Sequence, residues 1–265
     1  PIPTRKPMTV RWSSCRNDVG PIMLHTQLSV EEAANYLHIS VEEIGRLSRQ
    51  GEIQAVYVRN RLMFGKRELH DWLSQKLIGH KSDPAAQMHN AAPMLREQAP
   101  DRDRPFLSQY LNPATVDPDL LAKTRSRLLR DLVNLAVKSN HISDEVEYHK
   151  LLEEREELCP SGLVGGVAIP HSRIHDEYLI MESFLVIARV PDGVPFGAPD
   201  GKLTELFIMP CAHDDRIHLY MVARIALLLN KTGLADFLRA CDTVDEIIDT
   251  MQAVETEFME AQMPK

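Results

Sequence analysis

The sequence predicts a mixed α/β protein in two modules, and three observations carry that reading. From Asp119 onward, helical and strand-like apolar runs alternate over about 145 residues, the pattern of helices flanking a central mixed sheet. Nearer the N-terminus, a helix, turn, helix, hairpin and helix fit within roughly 50 residues. Between the two, Pro84, Pro93, Pro100, Pro105 and Pro113 interrupt a polar stretch that buries too little apolar surface to offset the entropy of ordering it. The predicted divisions are a basic arm at 1–22 (Arg5, Lys6, Arg11, Arg16), a first module at 23–78, a linker at 79–116 and a second module at 117–260.

In the first module, Ser29 caps a helix ending at Leu37. Glu32 stands in the capping-box position and Ala33, Ala34 and Leu37 form the buried stripe. Ser40 caps a second helix, Val41 to Arg49, again with a glutamate (Glu43) three residues on, and Gly51 ends it. Ile53–Val58 and Leu62–Phe64 flank the polar turn Arg59-Asn60-Arg61. A third helix over Lys66–Leu77 buries Leu69, Trp72 and Leu73. In the second module, Leu120 to Ala136 has helical spacing, and a helix at 143–152 follows. A glycine-rich turn spans Ser161–Gly166, strands are expected at Ser183–Val190 and Glu205–Pro210, and helices at 216–230, 233–240 and 243–258.

Composition narrows the function classes. Thirty Lys and Arg against 38 Asp and Glu give a net charge of −8, so nucleic-acid contact needs a local basic patch. The cysteines, Cys15, Cys159, Cys211 and Cys241, form no CxxC pair, which speaks against a zinc ribbon or a disulfide scaffold. No apolar run is long enough to insert in a membrane and no secretory signal is visible, so a cytoplasmic protein is expected. No motif calls for a cofactor. The string Ala212-His213-Asp214-Asp215 is a poor metal shell, and no metal site is expected.

The chemistry concentrates in Ser161-Gly162-Leu163-Val164-Gly165-Gly166-Val167-Ala168-Ile169-Pro170-His171. Glycines let the backbone turn sharply, and successive N–H groups in such turns form anion-binding concavities. Ser161, Gly162, Gly165 and Gly166 are the candidates for that loop. Val167-Ala168-Ile169 anchors the peptide in the core, Pro170 stiffens it, and His171 offers a nitrogen nucleophile at neutral pH. The stretch resembles the signature of the phosphotransferase-system IIA domains of the fructose, mannitol and nitrogen-regulatory class, Thr-Gly-Ile-Gly-Asn-Gly-Ile-Ala-Ile-Pro-His. The resemblance covers about residues 117–258, with Arg155-Glu156, Val194-Pro195-Phe196, Asp200-Gly201 and His218-Leu219 in register. It implies the IIA-type sandwich fold. It also implies a phosphoryl group taken up on His171 from the histidine phosphocarrier HPr or a counterpart, with Arg155 neutralising the phosphoryl group and His218 orienting or protonating its oxygens. Val164 stands where the pattern has glycine, and a Cβ disfavours the positive φ that glycine allows. His175 and His213 read as surface residues.

Thr26 to Leu77 resembles the excisionase-like winged helix-turn-helix domain related to the MerR group. The matching residues include Leu28-Ser29-Val30-Glu31-Glu32-Ala33-Ala34, Ile44-Gly45-Arg46-Leu47, Gly51-Glu52-Ile53 and the segment around Trp72. The resemblance places Arg46 and Arg49 on a groove-facing helix and Arg59 and Arg61 on the wing of a binder of double-stranded DNA. The balance of seven basic and seven acidic residues over His25–Lys76 leaves a protein-docking role open. The expectation is therefore a regulatory phosphocarrier whose phosphorylation state alters binding by the first module. No permease domain or IIB-like cysteine module lies on the chain, which favours regulation. Two other readings stay open: a transport component passing phosphate to a separate IIB protein, and an unphosphorylated interaction or DNA-binding protein on a degenerate IIA fold.

Overall fold

The computed structural model describes residues 27–37, 39–78 and 106–261. The basic arm, Cys15 and residues 79–105 of the predicted linker lie outside the described residues. Among the described residues the first module has strand β1 (Gln27–Ser29), helices α1 (Val30–Leu37) and α2 (Val41–Arg49), strands β2 (Val56–Val58) and β3 (Arg61–Gly65) and helix α3 (Lys66–Ile78). The strands form an antiparallel sheet in the order β1-β3-β2.

Local chemistry sets these boundaries. The Glu32 N–H donates to Ser29 Oγ (3.2 Å) and the Ser29 N–H to the Glu32 carboxylate (2.8 Å), a reciprocal capping box. Ser40 accepts from the Glu43 N–H at 3.2 Å, but the Glu43 carboxylate does not complete a second box. It takes the Arg46 guanidinium instead, at 2.5–2.8 Å. Gly51 ends α2 at φ +73°. Arg59 and Asn60, at φ 49° and 64°, form the two-residue turn whose twist suits a hairpin. Ala33, Ala34, Leu37, Ile44, Leu47, Ile53, Phe64, Leu69 and Leu73 pack as one core. Trp72, expected inside, is only half-buried, with the Lys76 ammonium 5.5 Å over its ring.

The second module opens with a 3-10 turn at Leu107–Tyr110 and strand β4 (Leu111–Asp117), so its structure begins well before 117. Pro113 and the short apolar content of Asn112-Pro113-Ala114-Thr115 hid the strand from a reading based on composition. The proline is tolerated because β4 lies at the edge of the sheet with an irregular register. There follow helices α4 (Arg125–Val137) and α5 (Glu145–Leu158), strands β5 (Val167–Ala168), β6 (Phe184–Val194) and β7 (Thr204–Cys211), and helices α6 (Asp215–Lys231), α7 (Leu234–Arg239) and α8 (Val244–Ala261). The sheet order is β4-β6-β7-β5, with β4 parallel to β6, β6 antiparallel to β7 and β5 parallel to β7.

Alternation along β6 and β7 assigns their side chains to two cores. Phe184, Val186, Ala188, Phe207, Met209 and Cys211 meet α4 and α5 through Leu128, Leu132, Tyr148 and Leu152. Leu185, Ile187, Leu206 and Ile208 meet α6 to α8 through Val222, Ile225, Leu234 and Met251. Both faces are covered, which is why these strands read as continuous apolar runs. The two modules touch: Leu219, on α6, packs in the core of the first module.

Gly162 fixes the approach to the segment that ends in His171. A Cβ there would lie 2.7 Å from the Phe196 carbonyl oxygen and 2.9 Å from the Ala198 nitrogen. The backbone of 196–198 cannot yield cheaply, so Gly162→Ala is expected to destabilise the second module by about 1–3 kcal/mol. Thermal denaturation measures this as a fall in Tm of several degrees.

Candidate functional site

His171 sits two residues beyond a tight hairpin. The Leu163 N–H donates to the Val167 carbonyl (2.7 Å), and the Ile169 N–H to the Ser161 carbonyl (3.3 Å). Strand β5 pairs with β7, fixing Val167 and Ala168 against Leu206 and Phe207. The imidazole is 2% exposed. Its Nδ1 is 2.8 Å from the Ile169 carbonyl oxygen. A carbonyl only accepts, so Nδ1 carries the proton and Nε2 keeps its lone pair. Burial first, then the Arg155 guanidinium, hold the His171 pKa well below its usual 6.5. The ring is neutral, the nucleophilic form.

His218 lies in the first turn of α6, which Asp214 caps by accepting from the Arg216 and Ile217 N–H groups (2.7 and 2.8 Å). Its ring centroid is 5.0 Å from that of His171, and it is fully buried. Arg155, in the last turn of α5 and 3% exposed, donates to the Cys159 carbonyl at 2.6 Å, and its Nε has no hydrogen-bond partner among the described residues. A buried guanidinium, two neutral imidazoles and the positive end of a helix converge on one point. That combination favours an incoming anion.

The glycine loop behaves differently from expectation. Positive φ falls on Gly165 (89°) and Gly166 (74°), so Val164 keeps an ordinary conformation. Those glycines form the hairpin tip, at the end away from His171, separated from it by on the order of 15–20 Å of extended chain. The Gly165 N–H donates to the Asp200 carboxylate (3.1 Å), its carbonyl accepts from Arg239, and the Gly166 carbonyl accepts from the Glu205 and Leu206 N–H groups. Gly165 and Gly166 build a turn rather than an anion cradle. Gly162 is required by packing against 196–198, and Ser161 is tied through its N–H to the buried Glu156 carboxylate (3.1 Å).

What the sequence did not reveal is the cover over this site. Lys66, His70 and Ser74, at i, i+4 and i+8, form a polar stripe along α3, with Asp71 beside it. Lys66 pairs with Asp215 (2.6 Å), Asp71 with Arg173, and Ser74 Oγ lies 3.5 Å from His218 Nε2. The His70 ring lies 4.9 Å from His218 and 4.8 Å from His175. His175 is no surface residue: its side chain is 2% exposed and stacks on His218 at 4.0 Å between centroids. It falls in a segment without regular structure, where periodicity carries no signal. The other expected surface histidine, His213, is half-buried between Ser183 and Asp214. Burial pushes the Asp215 carboxyl up, but hydrogen bonds from His175 and Lys66 outweigh it and hold it well below the usual carboxylate range. Burial holds His70 down at about 3. Arg46, Arg49, Arg59 and Arg61 are all exposed on the first module, and Arg46 is engaged with Glu43 and Gln50.

Comparison with known proteins gives two family matches. Residues 109–254 match the family described as phosphoenolpyruvate-dependent sugar phosphotransferase system, EIIA 2, and residues 28–77 match a helix-turn-helix domain. The chain is 23% identical over 145 residues to the PTS system fructose-specific EIIABC component of Bacillus subtilis (strain 168), a match covering 54% of this chain and 22% of that protein. It is 24% identical over 145 residues to the Nitrogen regulatory protein of Klebsiella oxytoca, covering 54% of this chain and 88% of that one. Among solved structures, Nitrogen Regulatory Protein IIA-Ntr from Neisseria meningitidis aligns with a TM-score of 0.49 and 22% identity, over 55% of this chain and 98% of that chain. The chain thus spans about a fifth of the length of the multi-component transport relative and most of the length of the regulatory one. No helix among the described residues is long and apolar enough to cross a membrane.

Proposed function

Because the chain belongs to the EIIA 2 family of the phosphoenolpyruvate-dependent sugar phosphotransferase system, we propose that it is a regulatory phosphocarrier in which phosphorylation of His171 controls what the helix-turn-helix module can bind. The donor is an HPr-like phosphohistidine protein. The Nε2 lone pair of His171 attacks phosphorus in line, the donor's P–N bond breaks, and the donor nitrogen leaves with the bonding pair. Nδ1–H remains bonded to the Ile169 carbonyl, so the formal positive charge passes with the phosphoryl group from one ring to the other. Arg155 and His218 are the groups best disposed to meet the phosphoryl oxygens.

One observation carries the coupling: α3 of the helix-turn-helix module packs against His218, whose ring neighbours that of His171. A donor protein needs α3 to move before it can reach His171. A phosphoryl group brings roughly −1.5 to −2 charge and competes with Asp71 for Arg173, two residues from the acceptor. Both effects favour release of the first module.

The first module then presents Arg46, Arg49, Arg59 and Arg61 to double-stranded DNA. The experiment is a duplex-binding titration with the chain before and after treatment with phosphoenolpyruvate, Enzyme I and HPr. Binding is expected to tighten on phosphorylation. Removing Arg46 and Arg49 together is expected to weaken it and to reduce the magnitude of the salt-dependence slope by about 1 per lost phosphate contact. Equal binding by both forms would remove the coupling, and no binding at low salt would leave a protein partner as the target.

A further inference from the structure

We propose that His70, His175 and His218 together bind one zinc ion, which clamps the helix-turn-helix module onto the phosphoacceptor module. The three imidazoles come from three separate parts of the chain: α3, the segment after β5, and the first turn of α6. One ring nitrogen of each can be chosen so that all three lie within 4.8 Å of one another. Side-chain rotation that unstacks His175 from His218 brings such a set to the ~2.0–2.1 Å Zn–N distances of an all-imidazole shell.

The hydrogen bonds say which nitrogens are left without a partner. The Tyr36 hydroxyl is bonded to His70 Nδ1 (3.0 Å), the Asp215 carboxylate to His175 Nδ1 (3.0 Å), and Ser74 Oγ lies 3.5 Å from His218 Nε2. The other nitrogen of each ring, His70 Nε2, His175 Nε2 and His218 Nδ1, is buried and without a hydrogen-bond partner among the described residues. All three side chains are at least nine-tenths buried. Unmet polar atoms at such depth are unfavourable, and three in one cluster ask for a shared partner. The Asp215 carboxylate only accepts, so Nδ1 of His175 carries a proton, and in the neutral ring its Nε2 presents a lone pair. A proton on the hydrogen-bonded nitrogen of His70 and of His218 leaves their other nitrogens in the same state. With the rings so set, three unshared pairs lie buried in one cluster, which a cation would satisfy.

The surrounding groups fit that role. A carboxylate behind a ligating histidine fixes the tautomer and raises ligand basicity, as Asp215 does here. Burial keeps His70 and His218 in the neutral form that binds metal. Imidazole ligands suit zinc, copper, nickel or cobalt rather than magnesium or calcium. Three protein ligands leave one coordination position open.

The test uses the full chain, stripped with a chelator and titrated with zinc sulfate in a calorimeter. One zinc per chain is expected. His70→Gln and His175→Gln are each expected to weaken binding by on the order of 100-fold or more, the upper end of what loss of a supporting residue alone produces. His213→Ala, which alters a histidine outside the cluster, should bind as the wild type does. Circular dichroism verifies that the variants fold. Cobalt(II) gives a second reading on the unaltered chain: an intense tetrahedral absorption band supports the site, and a weak six-coordinate spectrum overturns it. Absence of stoichiometric zinc binding at micromolar protein, or binding that survives both glutamine variants, overturns it as well. No phosphoryl donor enters this experiment, so its failure leaves the His171 reading untouched.

Discussion

Incubated with phosphoenolpyruvate, Enzyme I and HPr, the chain is expected to gain the mass of one phosphoryl group, and His171→Ala is expected to gain none. The expectation rests on a single nucleophilic nitrogen. The Ile169 carbonyl holds the proton on Nδ1, and burial with Arg155 keeps the ring neutral. An exposed imidazole loses nucleophile as pH falls below about 6.5, whereas His171 should keep its neutral form well below that. His218→Gln preserves volume but removes an imidazole 5.0 Å from the acceptor ring. Loss of such a partner is expected to slow transfer by about 100-fold or more while leaving the final mass gain intact. Intact-mass spectrometry over time separates the two variants. A mass gain that persists in His171→Ala refutes the assignment, and a His218→Gln variant as fast as wild type removes that histidine from the transfer step.

The site was legible where its information is local. Ile169-Pro170-His171 is contiguous, and the Ser29–Glu32 cap needs only four residues. The apolar runs of β6 and β7 announce strands covered on both faces. Arg155 and His218 were reached through resemblance, because their meeting with His171 depends on the whole α/β packing. What stayed hidden was the contact between modules. Lys66, His70 and Ser74 are ordinary surface residues for an isolated helix, and only docking on α6 gives them their partners. His175 was hidden for the same reason, since half of its surroundings come from α3. Gly165 and Gly166 misled in the other direction: glycines near a candidate phosphoacceptor histidine suggest an anion cradle, but the hairpin pairing points them away from it. Glycine content reports a need for positive φ and says nothing of where the turn faces.

Opening the interface should accelerate phosphoryl uptake, and Lys66→Glu tests this with the donor unchanged. The Lys66 ammonium lies 2.6 Å from the Asp215 carboxylate, both partly exposed. The substitution replaces that attraction with repulsion. Discounted for solvent screening, the change is worth about 1–2 kcal/mol, or roughly tenfold in the open fraction. If donor access is limited by that fraction, the initial rate of phosphorylation rises by the same factor. Acid should act in the same direction. Undocked, His70 has its ordinary pKa of 6.5; docked, burial holds it at about 3. Between these values the undocked state takes up a proton that the docked state refuses, so docking is fully favoured above about pH 6.5. It weakens as pH falls through the window toward 3. His218, held low first by burial and then by His175 and His70, adds to the same trend. Asp215, held low by His175 and Lys66, weakens docking only below the carboxylate range. Amide hydrogen exchange along α3 of the zinc-stripped chain, compared at pH 7.5 and 5.5 after correction for intrinsic rates, should therefore show faster opening in acid. Lys66→Glu should open faster at both. A Lys66→Glu chain that takes up phosphate no faster than wild type, with α3 equally protected, would mean that the helix-turn-helix module covers His171 without gating it.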